Sequence, residues 1–149
     1  MISFDTNILV YATASVSDDR VSRARDLLAR AMQAATSILL LQTLAEFSNV
    51  AIRKARIPAK DIGATIEAWR TVVPIQPADE SDLLLALEAV RAHRLAFWDA
   101  MLWASAQRAG VRHILTEDFQ DGFVLHEVQF LNPFKRENDQ LIEKLLPRS

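Results

Sequence analysis

The sequence contains no cysteine, and its three histidines lie far apart. Without thiols, the chain has no disulfide bonds, thiol nucleophile, iron–sulfur cluster or cysteine-bound zinc. His93, His113 and His126 lack the short spacing of a histidine-rich metal site. The composition therefore points to oxygen ligands for any bound metal.

Glycine and proline are also scarce, with three and five residues in a chain of 149. Linkers and low-complexity segments are rich in such residues, so the length and composition indicate one compact domain. The hydrophobic fraction of 50% is sufficient for a single core. A domain of this length buries about 68–70% of its unfolded surface.

Long apolar runs and an excess of positive charge are missing as well. No stretch reaches the roughly 18 apolar residues that cross a bilayer, and residues 1–5 do not resemble a signal peptide. We therefore expect a soluble, cytoplasmic protein that does not bind membranes. A net charge of −2 disfavours a polybasic nucleic-acid wrapper, although it permits a local basic rim.

Short apolar runs alternate with longer segments of helical periodicity. We predict strands at 2–4, 37–41, 73–75, 113–116 and 123–125. We predict helices at about 18–35, 43–55, 61–72, 79–93 and 97–109. Strands separated by helices favour a parallel sheet covered on both faces. The predicted fold class is α/β, with three layers (α/β/α) and a central, mainly parallel sheet.

Four acids lie within or directly after apolar segments, where an unpaired carboxylate is costly to bury. Asp5 and Asp118 follow predicted strands, whose carboxyl ends form the ligand crevice of parallel sheets. Glu46 and Asp99 lie in apolar helices. If all four meet, their mutual repulsion requires a divalent cation. Mg²⁺ or Mn²⁺ suits such an all-oxygen site and activates water for attack on phosphorus.

Each acid also has a structural explanation. Asp5 can cap a helix, and Asp118 can form a turn. Asp99 can be an acid in the first turn of a helix, where the helix dipole stabilises negative charge. Glu46 lies on a polar helical face that points either to solvent or into a cleft, together with Gln42, Asn49 and Arg53. Two neighbouring acids are alternatives to Asp118, namely Glu117 and Asp121.

The segment ISFDTNILVY at 2–11 resembles the opening motif of the PIN-domain nucleases. LAEF at 44–47, FWDAML at 97–102 and TEDF at 116–119 resemble the family's three further acidic motifs, and NPF at 132–134 its usual end. The chain's length resembles that of VapC-type toxins, the ribonuclease halves of toxin–antitoxin pairs. The resemblance covers a PIN-like nuclease domain at about 1–134. A tail follows at 135–149, which we expect to be partly helical and to pack on the body or a partner chain.

The resemblance implies an endoribonuclease that depends on Mg²⁺ or Mn²⁺, forms a homodimer and is silenced by a small antitoxin protein. It assigns the catalytic metal site to Asp5, Glu46, Asp99 and Asp118. It assigns supporting roles to Thr6, Asn7 and Thr116. In such sites, polar neighbours hold the carboxylates or a bound water by hydrogen bonds.

An acidic site needs nearby cations to hold an anionic RNA. The densest basic cluster lies one to two turns after Glu46 and is expected to guide RNA toward the metals; it consists of Arg53, Lys54 and Arg56. Its alternative is a solvated helix end favoured by the dipole. Three tryptophans are candidates for base stacking, although aromatic residues in apolar helices usually belong to the core: Trp69, Trp98 and Trp103.

Other functions compete with the toxin hypothesis. One is a solitary PIN-domain nuclease that processes RNA, and another is a non-catalytic interaction module with a PIN-like fold. Retention of all four acids argues against the module, since an unneeded buried carboxylate is costly. A phosphatase ranks low, because its DxD motif needs an acid where Asn7 stands.

Overall fold

Six short strands form the centre of the computed structural model, which describes residues 1–148. The strands are β1 (Ile2–Phe4), β2 (Leu39–Leu40), β3 (Ile75–Gln76), β4 (His113–Leu115), β5 (Val124–Leu125) and β6 (Val128–Leu131). The helices are α1 (Thr6–Thr13), α2 (Asp19–Gln33), α3 (Leu41–Arg53), α4 (Ala59–Arg70), α5 (Glu80–His93), α6 (Phe97–Arg108) and α7 (Asp139–Leu145), with a 3₁₀ turn at Arg136–Asn138. Within residues 1–148, no helix is both long and apolar enough to span a bilayer.

The sheet is parallel except at one edge. β1 pairs with β4, and β4 pairs with β6, both in parallel, whereas β5 runs antiparallel to β6. On its other side, β1 meets the segment before β2 through a parallel bridge between Ile2 and Ser37, and β2 pairs in parallel with β3. The predicted central, mainly parallel sheet is confirmed.

Helices cover both faces of this sheet. Successive residues of a strand point to opposite faces, and in β4 Leu115 packs toward α1–α4 and α7 while Ile114 packs toward α5 and α6. In β6, Leu131 likewise packs toward α1–α4 and α7, and Phe130 packs toward α5 and α6. This alternation confirms the three-layer α/β/α architecture.

One central strand, β6, is absent from the prediction. Its four residues include a polar one, Gln129, and only His126 and Glu127 separate it from β5. His126 has a positive φ of 49°, in the left-handed region that tight hairpin turns require. The His-Glu pair lacks the Asn-Gly or Asp-Gly signature that identifies such turns in sequence.

The C-terminal tail packs on the body of the domain. Ile142 of α7 and Leu146 are 1% and 0% exposed and belong to the core beneath α2. Arg30 of α2 is 6% exposed and pairs with Asp26 and Glu143 at 3.0 and 3.1 Å. Its guanidinium also donates to the carbonyl of Leu146. Because buried charges need such partners, Arg30 ties the tail to α2.

We expect Ile142→Ala to lower the free energy of unfolding by about 2–4 kcal/mol, since it leaves a cavity between α7 and the core. Urea denaturation measures this change. Lys144→Ala, at an exposed position of the same helix, is the matched control and should alter stability little. Equal unfolding midpoints for the two variants would show that α7 does not contribute to the core.

Candidate active site

A cavity of about 420 Å³ opens where β1 and β4 end, and we call it the acid cavity. All four predicted acids line it, although they come from segments far apart in sequence: Asp5, Glu46, Asp99 and Asp118. The remaining lining residues are Thr6, Asn7, Val10, Tyr11, Val50 and Lys54. The fold therefore gathers the predicted acids at one place.

Asp5 is positioned by both its backbone and its side chain. Its N–H donates to the carbonyl of Leu115 at 2.9 Å, which continues the β1–β4 pairing beyond the strands. Its Oδ1 accepts the N–H of Thr6 at 2.7 Å and so caps α1. The capping alternative is therefore correct, and it coexists with a place in the cavity, because only one carboxylate oxygen is needed for the cap.

Polar neighbours hold the acids in place. The hydroxyl of Thr116 donates to Asp5 Oδ2 at 2.7 Å, and Thr116 itself is buried. Asn7 Nδ2 donates to Asp118 Oδ2 at 2.8 Å and lies 3.4 Å from Asp5 Oδ2. All three predicted supporting residues contact an acid, since Thr6 Oγ1 donates to Glu46 Oε2 at 3.1 Å.

Along the polar face of α3, Gln42 and Glu46 are partly buried in a cleft, whereas Asn49 and Arg53 farther along the helix are exposed. Gln42 Nε2 donates to Glu46 Oε1 at 2.8 Å and to the carbonyl of Trp98 at 2.9 Å. This amide links α3 to the first turn of α6, where Asp99 lies. The sequence identified the stripe, but only the packing of α6 against α3 shows which part of it is buried.

Burial and like charge both act on the acids. Burial, and to a lesser extent the nearby carboxylates of Asp118 and Glu46, raise the pKa of Asp5 from 3.8 to about 6, despite hydrogen bonds from Thr116 and Thr6. Burial followed by the same two carboxylates also raises the pKa of Asp99. Both acids thus occupy an environment that disfavours their charged form.

The two alternatives to Asp118 lie outside the acid cavity. The Tyr11 hydroxyl donates to Glu117 Oε1 at 2.5 Å, and Arg20 pairs with Glu117 at 2.9 Å. Asp121 Oδ1 instead accepts the backbone N–H of Asn132 at 2.8 Å, in a structural role. The Tyr11 and Arg20 contacts were not foreseen, because they join elements that no local motif connects.

The most deeply buried acid in residues 1–148 is none of the four, but Asp82 at 1% exposure. Burial alone would raise its pKa, yet hydrogen bonds from Arg108, the Asp79 backbone and Ser105 hold the pKa below its ordinary value. Asp82 and Asp79 also form a capping box at the start of α5. Burial of an acid therefore marks a candidate site only when no cation compensates it.

The predicted basic cluster divides in the structure. Lys54 lines the acid cavity, and among its ten lining residues it is the single cation. Arg53 and Arg56 are exposed and do not line the cavity.

The residues of the acid cavity fit a divalent cation by their chemistry. Within residues 1–148, no ion pair of 4.0 Å or less involves any of the four acids. Asn7 Oδ1 is buried without a hydrogen-bond partner, so it is a further free oxygen ligand. In the same described part of the chain, no three His, Asp or Glu side chains stand as a preassembled metal cluster. Thr6, Asn7 and Thr116 instead occupy some of the carboxylate oxygens through hydrogen bonds.

The chain is similar to known proteins in sequence family and in fold. The family model of the PIN domain matches residues 2–124. The fold is similar to VapC20 of Mycobacterium tuberculosis, titled a sarcin–ricin loop cleaving toxin, with a TM-score of 0.66 and 21% identity over 79% of this chain and 90% of that one. No curated protein matches the sequence.

Two further solved structures share the fold. A toxin–antitoxin complex from Klebsiella pneumoniae matches with a TM-score of 0.67 and 18% identity, over 91% of this chain and 99% of that one. FitAcB from Neisseria gonorrhoeae matches with a TM-score of 0.60 and 19% identity, over 90% and 99% of the two chains.

The raised pKa of Asp5 predicts a pH-dependent stability. The folded protein takes up a proton on Asp5 between about pH 4 and 6, so without metal the free energy of unfolding falls as pH rises through this window, by at most about 3 kcal/mol. In Asp5→Asn the part of this fall that Asp5 contributes should be absent, and only the smaller contribution of Asp99, whose pKa is also raised, should remain. Thermal denaturation in chelator across pH 4–7 measures the difference.

Asp61→Asn, an exposed acid in the first turn of α4, is the matched control and should follow the wild-type pH profile. If the acid cavity binds Mg²⁺ or Mn²⁺, adding the ion at pH 7 should raise the wild-type melting temperature, because a ligand that binds only the folded state stabilises it. Parallel pH profiles for wild type and Asp5→Asn would contradict the expectation.

Proposed function

The chain belongs to the PIN-domain family, and from this premise we propose that it is a Mg²⁺- or Mn²⁺-dependent endoribonuclease, the toxin of a toxin–antitoxin pair. One observation supports this most: four carboxylates from four separate segments line one cavity, and none has a cationic partner within 4.0 Å in residues 1–148. Carboxylates without such partners are suited to bind divalent cations and, through them, phosphate.

In this proposal, Asp5, Glu46, Asp99 and Asp118 hold the cation. Bound Mg²⁺ or Mn²⁺ supplies an activated water nucleophile and stabilises the charge that develops on the phosphate. Asn7 keeps Asp118 oriented, and the buried Thr116 hydroxyl keeps Asp5 oriented, by the hydrogen bonds already described.

Lys54 is the residue best placed to hold the anionic strand, because its side chain lines the acid cavity. Arg53 and Arg56 lie nearby on the exposed surface and would contact phosphates farther along the RNA. A basic rim of this kind offsets the acidic character of the site before metal binds.

The proposed partners are a small antitoxin and a second copy of the chain, and a cytoplasmic location accords with both. The antitoxin is supported by the fold shared with a toxin–antitoxin complex. A homodimer is supported by an exposed apolar stripe on α5, where three leucines are 41%, 66% and 50% exposed, namely Leu83, Leu84 and Leu87. Apolar patches of this kind usually mark protein–protein contacts.

We expect Asp5→Asn and Asp99→Asn each to reduce RNA cleavage at least about 100-fold, because each removes a ligand of the metal. Gel analysis of a structured RNA incubated with Mg²⁺ or Mn²⁺ measures this. Asp61→Asn is the matched control and should cleave as wild type does. Undiminished cleavage in both active-site variants, or in excess chelator, would refute the metal-dependent nuclease.

Expression in cells separates the toxin from the two alternatives. The wild type should arrest growth, and Asp99→Asn should not. Metal-dependent cleavage without growth arrest would favour a solitary RNA-processing nuclease. If purified wild type neither cleaves RNA nor binds Mn²⁺ by calorimetry, the chain is a non-catalytic module.

The homodimer predicts a mass of twice 16.8 kDa in light scattering. Leu84→Glu should shift the protein toward the monomer, since it places a charge in the apolar contact. Val124→Glu is the matched control, because Val124 is also exposed, at 53%, but lies on β5. A dimer that persists in Leu84→Glu, or dissociates equally in both variants, would exclude α5 as the contact.

A further inference from the structure

A second cavity, of about 520 Å³, adjoins the acid cavity, and we call it the apolar cavity. Glu46 lines both. Its Oε2 accepts from Thr6 on the side of the acid cavity, and its Oε1 accepts from Gln42 on the side of the apolar cavity. The two cavities are therefore neighbouring compartments of one cleft between α3 and α6.

An exposed indole forms one wall of the apolar cavity. Trp98 is 63% exposed, whereas Trp103, five residues later in α6, is 1% exposed and belongs to the core. The Trp98 ring contacts the Phe97 ring edge-on, with centroids 5.1 Å apart, and its carbonyl is held by Gln42. An aromatic face left largely in solvent beside a catalytic acid is suited to stack a planar ligand.

The apolar cavity also contains a free amide. Asn49 is exposed, lines the cavity and makes no side-chain hydrogen bond within residues 1–148. A side-chain amide carries a donor and an acceptor, which match the edge of a nucleobase. The remaining walls include Leu41, Ala45 and Met101, whose side chains are apolar and add no charge.

We propose that the apolar cavity binds a nucleobase of the RNA next to the phosphate that is cleaved, with Trp98 stacking on the base and Asn49 bonding to its edge. This inference rests on the proposed nuclease function. The cavity volume lies within the roughly 300–1,000 Å³ typical of small-ligand sites. Trp98 and Asn49 would then influence which base precedes or follows the cut.

The position of the cavity favours a base over a protein side chain from a second copy. Because the two cavities share Glu46, a strand whose phosphate occupies the acid cavity has the neighbouring compartment within reach of its adjoining sugar and base. The apolar stripe of α5 offers a second copy a separate contact surface. Occupation of the apolar cavity by a partner chain is the competing outcome, and the experiment distinguishes it.

The test combines cleavage kinetics with tryptophan fluorescence. Trp98→Ala should lower kcat/KM for RNA about 5- to 100-fold, mainly through KM, because base stacking is lost. Trp98→Phe should restore most of the activity. Val72→Ala, which alters an exposed apolar side chain that lines neither cavity, is the control and should match wild type.

Binding is measured separately with a short RNA oligonucleotide in excess chelator, which withholds the metal that cleavage requires, and with abasic versions of it. The intact oligonucleotide should quench the fluorescence of wild type but not of Trp98→Phe, and an abasic residue at one position should abolish the quenching. Asn49→Ala should change the preference among oligonucleotides that differ at that position. This readout remains valid even if wild type cleaves no RNA, so failure of the proposed function is distinguishable from failure of the base site.

Two results would overturn the inference. In the first, Trp98→Ala has the same kcat/KM as wild type, and every oligonucleotide quenches its fluorescence as it does that of wild type. The other is loss of the dimer in Trp98→Ala, by light scattering, with oligonucleotide binding intact, which would assign the cavity to a second copy of the chain.

Discussion

The central constraint on this structure is that four carboxylates of like charge lie close together in one cavity. Asp5, Glu46, Asp99 and Asp118 line one cavity, and burial and their mutual repulsion raise the pKa of Asp5 and Asp99. The repulsion between these carboxylates opposes folding unless other interactions hold them in position or a cation neutralises their charge. The parallel sheet fixes it, because β1 and β4 end side by side and deliver Asp5 and the loop of Asp118 to the same edge.

Hydrogen bonds from two side-chain amides also position the acids of the cavity. Asn7 reaches from α1 to Asp118, and Gln42 reaches from Glu46 to the start of α6. These amides join four elements without supplying positive charge, so they set positions and leave the negative potential in place. The supporting residues thus preserve the property that makes the cavity attractive to a divalent cation.

Other acids show the contrast. Asp82 pairs with Arg108, Glu117 pairs with Arg20, and Asp121 accepts backbone and amide donors. Each is compensated and has a structural role, although Asp82 is more buried than any acid of the cavity. Burial sets the free-energy cost of keeping a carboxylate ionised in the folded protein. A buried carboxylate that lacks a cationic partner is therefore a better candidate for a ligand-binding residue than one that has such a partner.

The sequence by itself determined the layered α/β fold, most helices and the motif acids, because hydrophobic periodicity and strand-end positions are local properties. Tertiary structure alone decided that Gln42 and Glu46 line a cleft, that Asp118 rather than Glu117 enters the cavity, and that Trp98 is exposed while Trp103 is core. It also decided the place of β6 between β4 and β5. Periodicity defines the faces of a helix or strand, but what packs against each face depends on residues distant in the chain.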